Sequence, residues 1–182
     1  MNYMLSKKDT KIKKAVVLTD SVYHSYLGRY FFGQTDIMTF GNSHNAWGAL
    51  VNPKDSKVNM FLNAYTISNF SDVPLTVEGF LSSTLPGEAE TSKFVAAGNQ
   101  AIIPVPTPKV QIQSASMVES SPVGGTYTFV RRVEPNTTLT KHDFQGMYII
   151  PPGSSFALYF VSPVKNTVKA RIAFGWWEDR AV

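Results

Sequence analysis

The side chains that could carry acid–base chemistry are few and poorly placed for it. Glu88 and Glu90 lie two residues apart in LPGEAETS, where a glycosidase pair is conceivable but a solvated loop is the simpler interpretation. His142 directly precedes Asp143, and adjacent residues on a strand point to opposite faces, so they make a poor catalytic pair. The sequence contains no GxSxG, GxxxxGK[ST] or GxGxxG motif. We therefore expect no enzymatic activity and no catalytic residues.

The residues that bind metal ions are also scattered. His24, His44 and His142 form neither an HxH nor an HExxH spacing. His44 lies in FGNSHNAWG, which we interpret as a turn closed by Asn42 and Asn45 side chains. The chain has no cysteine, which excludes thiolate zinc sites, iron–sulfur clusters and disulfides. We expect no metal site and no cofactor.

Aromatic side chains are the remaining candidates for binding. In FGWWEDR, strand alternation places Trp176 and Trp177 on opposite faces, so one packs in the core and the other lies outside. The outer indole could cover a sheet edge, bind a sugar or contact another subunit. Together with Trp47, these two residues are the candidate contact aromatics.

Short strand-like segments must position these residues. They alternate with turn signals, and no helix separates them. The clearest strand-like segments are 56–70, 73–83, 109–118, 126–133, 154–162 and 167–180. We predict a hairpin at 69–72, and an extended edge or crossover segment where Pro104, Pro106 and Pro108 alternate. Over the whole chain we count eight to ten short strands, which is typical of an all-β fold, an antiparallel β-sandwich or jelly roll.

The net charge of the protein is confined to its N-terminus. Five lysines against one aspartate give residues 1–14 a charge of +4, which is the formal net charge of the whole chain. The remaining residues carry twelve basic and twelve acidic side chains. A neutral body does little to resist self-association, and it lacks the basic stripe typical of nucleic-acid-binding domains. We therefore expect the protein to bind itself rather than nucleic acid.

The N-terminal segment does not resemble a targeting signal. Its apolar run, 15–18, is shorter than the apolar core of a signal peptide, and no stretch is long enough for a membrane-spanning helix. We predict no membrane insertion. We interpret 12–19 as a strand and 21–27 as a helical turn, with one continuous helix as the alternative. The predicted organisation is an extended basic arm, 1–19, and a single β-sandwich domain, 20–182.

The arm is best explained as a contact with a neighbouring subunit. A β-prone segment of eight residues can add a strand to an open sheet edge. The residues expected at that interface are Lys11, Ile12, Val16, Val17 and Leu18. An arm that folds back on its own domain remains the alternative.

Three phrases carry a resemblance to known proteins: TISNFSDVPLTVEGF, IIPPGSSFALYF and RIAFGWWEDR. They resemble an uncharacterised protein family of spore-forming bacteria over nearly the whole chain. The strand followed by NxSxxP is also similar to jelly-roll subunits of endospore appendages, in which an N-terminal arm links stacked subunits into fibres. Those arms are commonly cross-linked by disulfides. Because this chain has no cysteine, the resemblance implies fibres held noncovalently.

These observations lead to one expectation and two alternatives. The expectation is a noncatalytic structural protein that assembles with itself into a bacterial surface or spore-associated filament or layer. It would lie at the cell or spore surface, or outside the cell, without a classical signal peptide. The first alternative is a β-sandwich structural protein of a virion, in a phage capsid or tail. The second is a carbohydrate-binding module that uses Trp47, Trp176 or Trp177.

Overall fold

The computed structural model describes residues 17–163 and 165–181. Within these residues, helix α1 (Asp20–Tyr26) precedes the strands. The strands are β1 (Tyr30–Gln34), β2 (Met38–Gly41), β3 (Asn45–Asn52), β4 (Val58–Asn69), β5 (Leu75–Leu81), β6 (Glu90–Thr91), β7 (Val95–Ala97), β8 (Gln111–Val118), β9 (Thr126–Val133), β10 (Thr138–Lys141), β11 (Tyr148–Ile150), β12 (Ser154–Val161) and β13 (Thr167–Arg180).

The strands form two antiparallel sheets packed face to face. Sheet A has the order β10-β4-β13-β1-β7, with β11 also paired to β4 and β2 to β13. Sheet B has the order β6-β8-β3-β12-β5-β9. Every pairing between strands is antiparallel. The predicted all-β antiparallel sandwich is therefore confirmed.

The path of the chain is that of a jelly roll. The strands β10, β4, β13 and β1 are four consecutive neighbours in sheet A, and β3, β12, β5 and β9 are four consecutive neighbours in sheet B. Followed in chain order, these eight strands cross between the sheets at every step except one. The exception is β5 and β9, which pair with each other in sheet B. Two interleaved Greek keys of this kind define the jelly roll.

The main core lies between the two sheets. The alternating residues of β13 point inward as predicted: Val168, Ala170, Ile172, Phe174 and Trp176 are all buried in it. A second apolar cluster covers the outer face of sheet B, where Leu85 packs against the cluster that contains Trp47. β3 is thus buried on both faces. This explains why it lacks the polar–apolar alternation by which a half-exposed strand is recognised.

Two predicted connections have different outcomes. The predicted hairpin at 69–72 is wrong, because β4 belongs to sheet A and β5 to sheet B. The side-chain amide of the buried Asn69 donates to the carbonyls of Val73 (2.8 Å) and Glu134 (3.1 Å) and holds the chain where it changes sheet. The proline-rich segment is confirmed as a crossover, since it leads from β7 in sheet A to β8 in sheet B.

The N-terminal predictions fall partly on residues that the structure does not describe. Lys11, Ile12 and Val16 lie outside the described residues. Val17 and Leu18 are described and form no strand; the chain continues from them into α1, where a helical turn was predicted. In the described part of the chain, no helix has the length and apolar character needed to cross a membrane.

Candidate assembly surface

Helix α1 is defined by its termini and is too short to be stable alone. Thr19 precedes it with extended backbone angles, and Asp20 places a negative charge in its first turn, where the helix dipole favours it. Gly28, at φ +72°, ends it in the left-handed conformation that glycine adopts without strain. A seven-residue helix is marginal in water, so its order depends on packing against sheet A.

The amphipathic character of α1 is inverted. The residues that face the body are half-buried and polar: Ser21, His24 and Ser25. The residues that face away are apolar and between 37% and 73% exposed: Val22, Tyr23, Tyr26 and Leu27. A helix at the surface of a monomer normally turns its apolar side to the core. The outward apolar side of α1 therefore marks a surface that another protein could cover.

Three stacked rings attach α1 to sheet A. The His24 imidazole lies on the Trp177 indole, with ring centroids 5.2 Å apart and an interplanar angle of 12°. Trp177 in turn stacks on Phe61, at 5.5 Å and 5°. Burial lowers the pKa of His24 below its ordinary value, against the opposing effect of Asp179, because charging the ring costs solvation. The neutral imidazole is therefore the form that docks the helix.

A β-bulge places a polar side chain beside α1. β4 and β13 pair at Ala64–Gly175 and then at Leu62–Trp176, so Asn63 is an extra residue without a partner in the ladder. The bulge sets this side chain on the outer face, where its amide donates to the Tyr30 hydroxyl at 3.0 Å. Asn63 lines the concavities next to the helix.

An apolar depression runs along the outer face of sheet A, and we call it the sheet A trough. It consists of two concavities of about 470 and 630 Å³ that share Phe32. Phe94 and Ala173 line the first concavity, and Val22 and Tyr26 of α1 line the second. Phe32 and Phe94 are each half-exposed. Among the described residues of the lining, Lys93 alone is charged, and the polar side chains of the second concavity, such as those of Asn99 and Gln100, are uncharged. The trough therefore suits an uncharged, largely apolar occupant.

A third concavity lies at the N-terminal end of α1. It measures about 490 Å³, and its lining includes Leu18, His142 and Trp177. It shares Ser21 and Asn63 with the trough. The first described residues of the chain therefore lie at one end of a continuous run of depressions. Val17, next to this end, is 94% exposed.

The three tryptophans proposed as contact residues are packing residues in the described structure. Each is 4% exposed or less. Trp47 lies on the outer face of sheet B and donates to the Pro86 carbonyl at 2.7 Å, and Trp176 lies in the main core. Trp177 faces outward from sheet A, as its place in the strand predicts, but α1 covers it. A sugar site built on these residues has no open indole face.

A buried carboxylate fixes the end of β13 to the proline-rich crossover. Glu178 is only 6% exposed, and burial raises its pKa. Its carboxylate accepts hydrogen bonds from the Lys109 and Val110 amides at 2.9–3.0 Å and from the Trp176 indole at 3.2 Å. Because these donors occupy the carboxylate, Glu178 serves the fold and offers no free base.

The other residues considered for chemistry do not converge. Glu88, Glu90, His142 and Asp143 are exposed, and the His44 ring lies 3.7 Å from Glu119. Within 17–163 and 165–181, no three acidic or histidine side chains are grouped closely enough to hold a metal ion. The His44 turn is closed by the backbone, because the amide of each of Gly41 and His44 donates to the other's carbonyl at 3.0 Å.

The trough has no signature in the sequence that marks it as a whole. Its residues come from segments far apart in the chain, so nothing local links Phe32 to Phe94. One signal was available in Val22, Tyr23, Tyr26 and Leu27, which have helical spacing. Such spacing indicates an apolar helix face, but it cannot show that this face points away from the domain.

Comparison with known proteins gives a family and nothing more specific. No curated protein and no solved structure matches the chain. The family found is itself described as one of unknown function, in agreement with the expected uncharacterised family, and the match says nothing of spore-forming bacteria or appendages. The chain belongs to this family of unknown function, DUF6143, whose model matches residues 1–182.

Proposed function

We propose that the protein is a noncatalytic structural subunit that assembles with copies of itself into a bacterial surface or spore-associated filament or layer. The N-terminal segment, comprising the basic arm and α1, makes the contact between neighbours. The observation that carries the proposal is the outward apolar side of α1, with Val22, Tyr23, Tyr26 and Leu27 exposed. A single folded copy leaves this side without a partner in the described structure.

The charge distribution also supports assembly. The twelve basic and twelve acidic side chains after residue 14 cancel, so two bodies meet without net repulsion. The jelly roll is a common building block of protein shells and of lectins. The fold alone does not determine function, which is why the argument depends on the surface.

The described end of the arm makes little contact with its own body. Val17 is almost fully exposed and Leu18 is about half-exposed. Burying Val17 on a neighbour would contribute roughly 1.5–3 kcal/mol, and burying the exposed part of Leu18 about half as much. This favours the interpretation that Lys11, Ile12, Val16, Val17 and Leu18 dock on another subunit.

The long open edge of sheet B is a poor acceptor for this arm. β9 pairs only with β5 among the described strands, and it has eight residues. It carries consecutive Arg131 and Arg132, and its register shifts opposite Gly79 and Phe80. Arginines and bulges are devices that protect edge strands from further pairing. The lysines of the arm would also meet like charges there, so we place the contact on sheet A.

Electron microscopy of two proteins tests the proposal. The full chain and a variant lacking residues 1–19 are imaged by negative stain at equal concentration. We expect ordered oligomers, filaments or layers from the full chain, and isolated particles no larger than a dimer from the truncated one. A variant with all five arm lysines changed to glutamine separates the effect of charge from that of chain length. Equal monomer populations in all samples would refute the proposal.

A virion structural protein is the second candidate, and the jelly-roll strand order favours it, because capsid subunits use this fold. In that case the arm would face the genome or a neighbouring subunit. Nucleic acid that copurifies with the full chain, and is lost when residues 1–19 are removed, would support this candidate. If the ultraviolet spectra of both samples show protein without nucleic acid, the result counts against the virion candidate.

A further inference from the structure

We infer that the sheet A trough receives the apolar side of α1 from a second copy of this chain, in a two-fold symmetric dimer. The inference rests on the proposed self-assembly and names the acceptor surface for it. The first ground is complementary chemistry. The helix presents Val22 and Tyr26, and the trough presents Phe32 and Phe94, all of them about half-exposed or more.

The charges of the trough select among possible occupants. Among the described residues that line its two concavities, there is no carboxylate and one lysine, Lys93. The arm carries five lysines in residues 7–14 and would find no opposite charge there. The exposed side of α1 consists of four apolar residues without a charge, so it matches the lining better than the arm does.

The position of the helix beside the trough makes the contact reciprocal. Val22 and Tyr26 form one wall of the second concavity, and Phe32 lies between the two concavities. When two sheet A faces meet with their helices antiparallel, each helix enters the trough of the other copy in the same step. Such an isologous contact closes on itself and gives a dimer. A filament then needs a second contact, which the arm can supply.

The available apolar area is sufficient for a specific interface. A fully exposed aromatic side chain offers roughly 200 Å², so Tyr23, Tyr26, Phe32 and Phe94 present roughly 450 Å² in each copy. Val22 and Leu27 add to this. Two copies together therefore bury on the order of 1,000 Å², which is the lower limit for a stable biological interface.

The first test compares two tyrosine variants of the full chain by sedimentation velocity. Tyr26→Glu places a charge in the proposed interface, whereas Tyr127→Glu places the same charge on the exposed β9 edge as a matched control. We expect Tyr26→Glu to raise the dimer dissociation constant at least about tenfold, because buried aromatic residues dominate such contacts. Tyr127→Glu should leave the constant unchanged. Circular dichroism melting shows whether each variant is folded.

The second test uses the absence of cysteine from the chain. The single variants Tyr26→Cys and Phe32→Cys carry one thiol each, so a disulfide between them must join two copies. We expect the mixture to form a heterodimeric disulfide faster than a mixture of Tyr127→Cys and Phe32→Cys. Removing residues 1–19 from the cysteine variants should not change the rate of cross-linking, because the inferred contact does not use the arm.

The outcomes separate this inference from the proposed function. If the full chain assembles and Tyr26→Glu has no effect, the inference is overturned and the arm alone carries assembly. If neither dimer nor cross-link forms at any concentration tested, the inference is overturned whatever the arm does. A dimer that persists without residues 1–19, and is lost in Tyr26→Glu, supports the inference even when no filament is seen.

Discussion

The imidazole of His24 lies parallel to the indole of Trp177, with ring centroids 5.2 Å apart. This contact joins a short N-terminal helix to the last strand of the fold. It turns the polar side of α1 toward the body, where it is half-buried, and leaves the apolar side outward. The same contact therefore covers Trp177 and creates the surface on which the proposed assembly depends.

The stability of the docked helix should depend on pH through His24. Burial holds its pKa below the ordinary value of 6.5, Arg29 acts in the same direction, and Asp179 and Asp20 oppose them. The unfolded chain therefore takes up the proton at higher pH than the folded chain. The stabilisation from neutral His24 is present above about pH 6.5 and is lost as the pH falls below it.

Urea unfolding at pH 8 and pH 5 measures this effect. The wild-type chain should lose stability between the two values. His24→Phe keeps a ring that can stack but cannot titrate, so its loss over the same interval should be smaller. Identical pH dependence in the two proteins would show that His24 does not couple the helix to pH.

Substitution of Gly146 by alanine should destabilise the protein more than the same substitution of Gly124, a glycine of similar backbone conformation. Gly146 has φ +78°, and an added Cβ would collide with the Trp177 indole. Gly124 has φ +68°, and its Cβ would meet nothing within 4 Å. We expect Gly124→Ala to cost about 1 kcal/mol through backbone strain and Gly146→Ala about 2–4 kcal/mol. Equal losses in thermal unfolding would contradict the packing described around Trp177.

The Glu178 carboxylate should be a strong contributor to stability. Glu178→Ala leaves the Lys109 and Val110 amides without their acceptor, and we expect it to cost about 2–4 kcal/mol in chemical unfolding. Glu178→Gln retains one carbonyl oxygen and should cost less. The exposed Glu88→Ala is the control and should change stability by less than about 0.5 kcal/mol. If Glu178→Ala left the stability unchanged, the anchoring role of Glu178 would be ruled out.

The arginines of β9 should protect the sheet edge from pairing. We expect the double substitution of Arg131 and Arg132 by threonine to lower solubility and promote aggregation, since the open edge would lose its charges. Replacing the exposed Lys54 and Lys165 by threonine makes the same change in net charge elsewhere. Light scattering over time compares the aggregation of the two double variants. Equal aggregation would indicate a general effect of charge rather than a guarded edge.

Strand alternation predicted much of the fold because it reflects a local property. In β13, the inward residues Val168 to Trp176 follow a period of two, and the structure buries all of them. The prediction fails where burial comes from distant parts of the chain. β3 has no alternation because both of its faces are covered. The course of the chain after Asn69 depends on hydrogen bonds to Val73 and Glu134, which no local turn signal shows.

The candidate surface was less predictable than the fold. The position of Trp177 on the outer face follows from alternation, but its burial depends on His24, which is distant in sequence. Conversely, the apolar residues of α1 have the spacing of a packed helix, and the structure leaves them exposed. In both cases, whether a side chain is buried depends on its contacts with parts of the chain that are distant in sequence.

The central claim, that this chain assembles with itself through its N-terminal segment, is tested most directly by sedimentation velocity. The full chain, the variant lacking residues 1–19 and Tyr26→Glu are measured over a wide range of concentration. We predict that the full chain forms species larger than a dimer, that the truncated variant stops at the dimer, and that Tyr26→Glu weakens the dimer. A full chain that sediments as a monomer throughout would contradict the account.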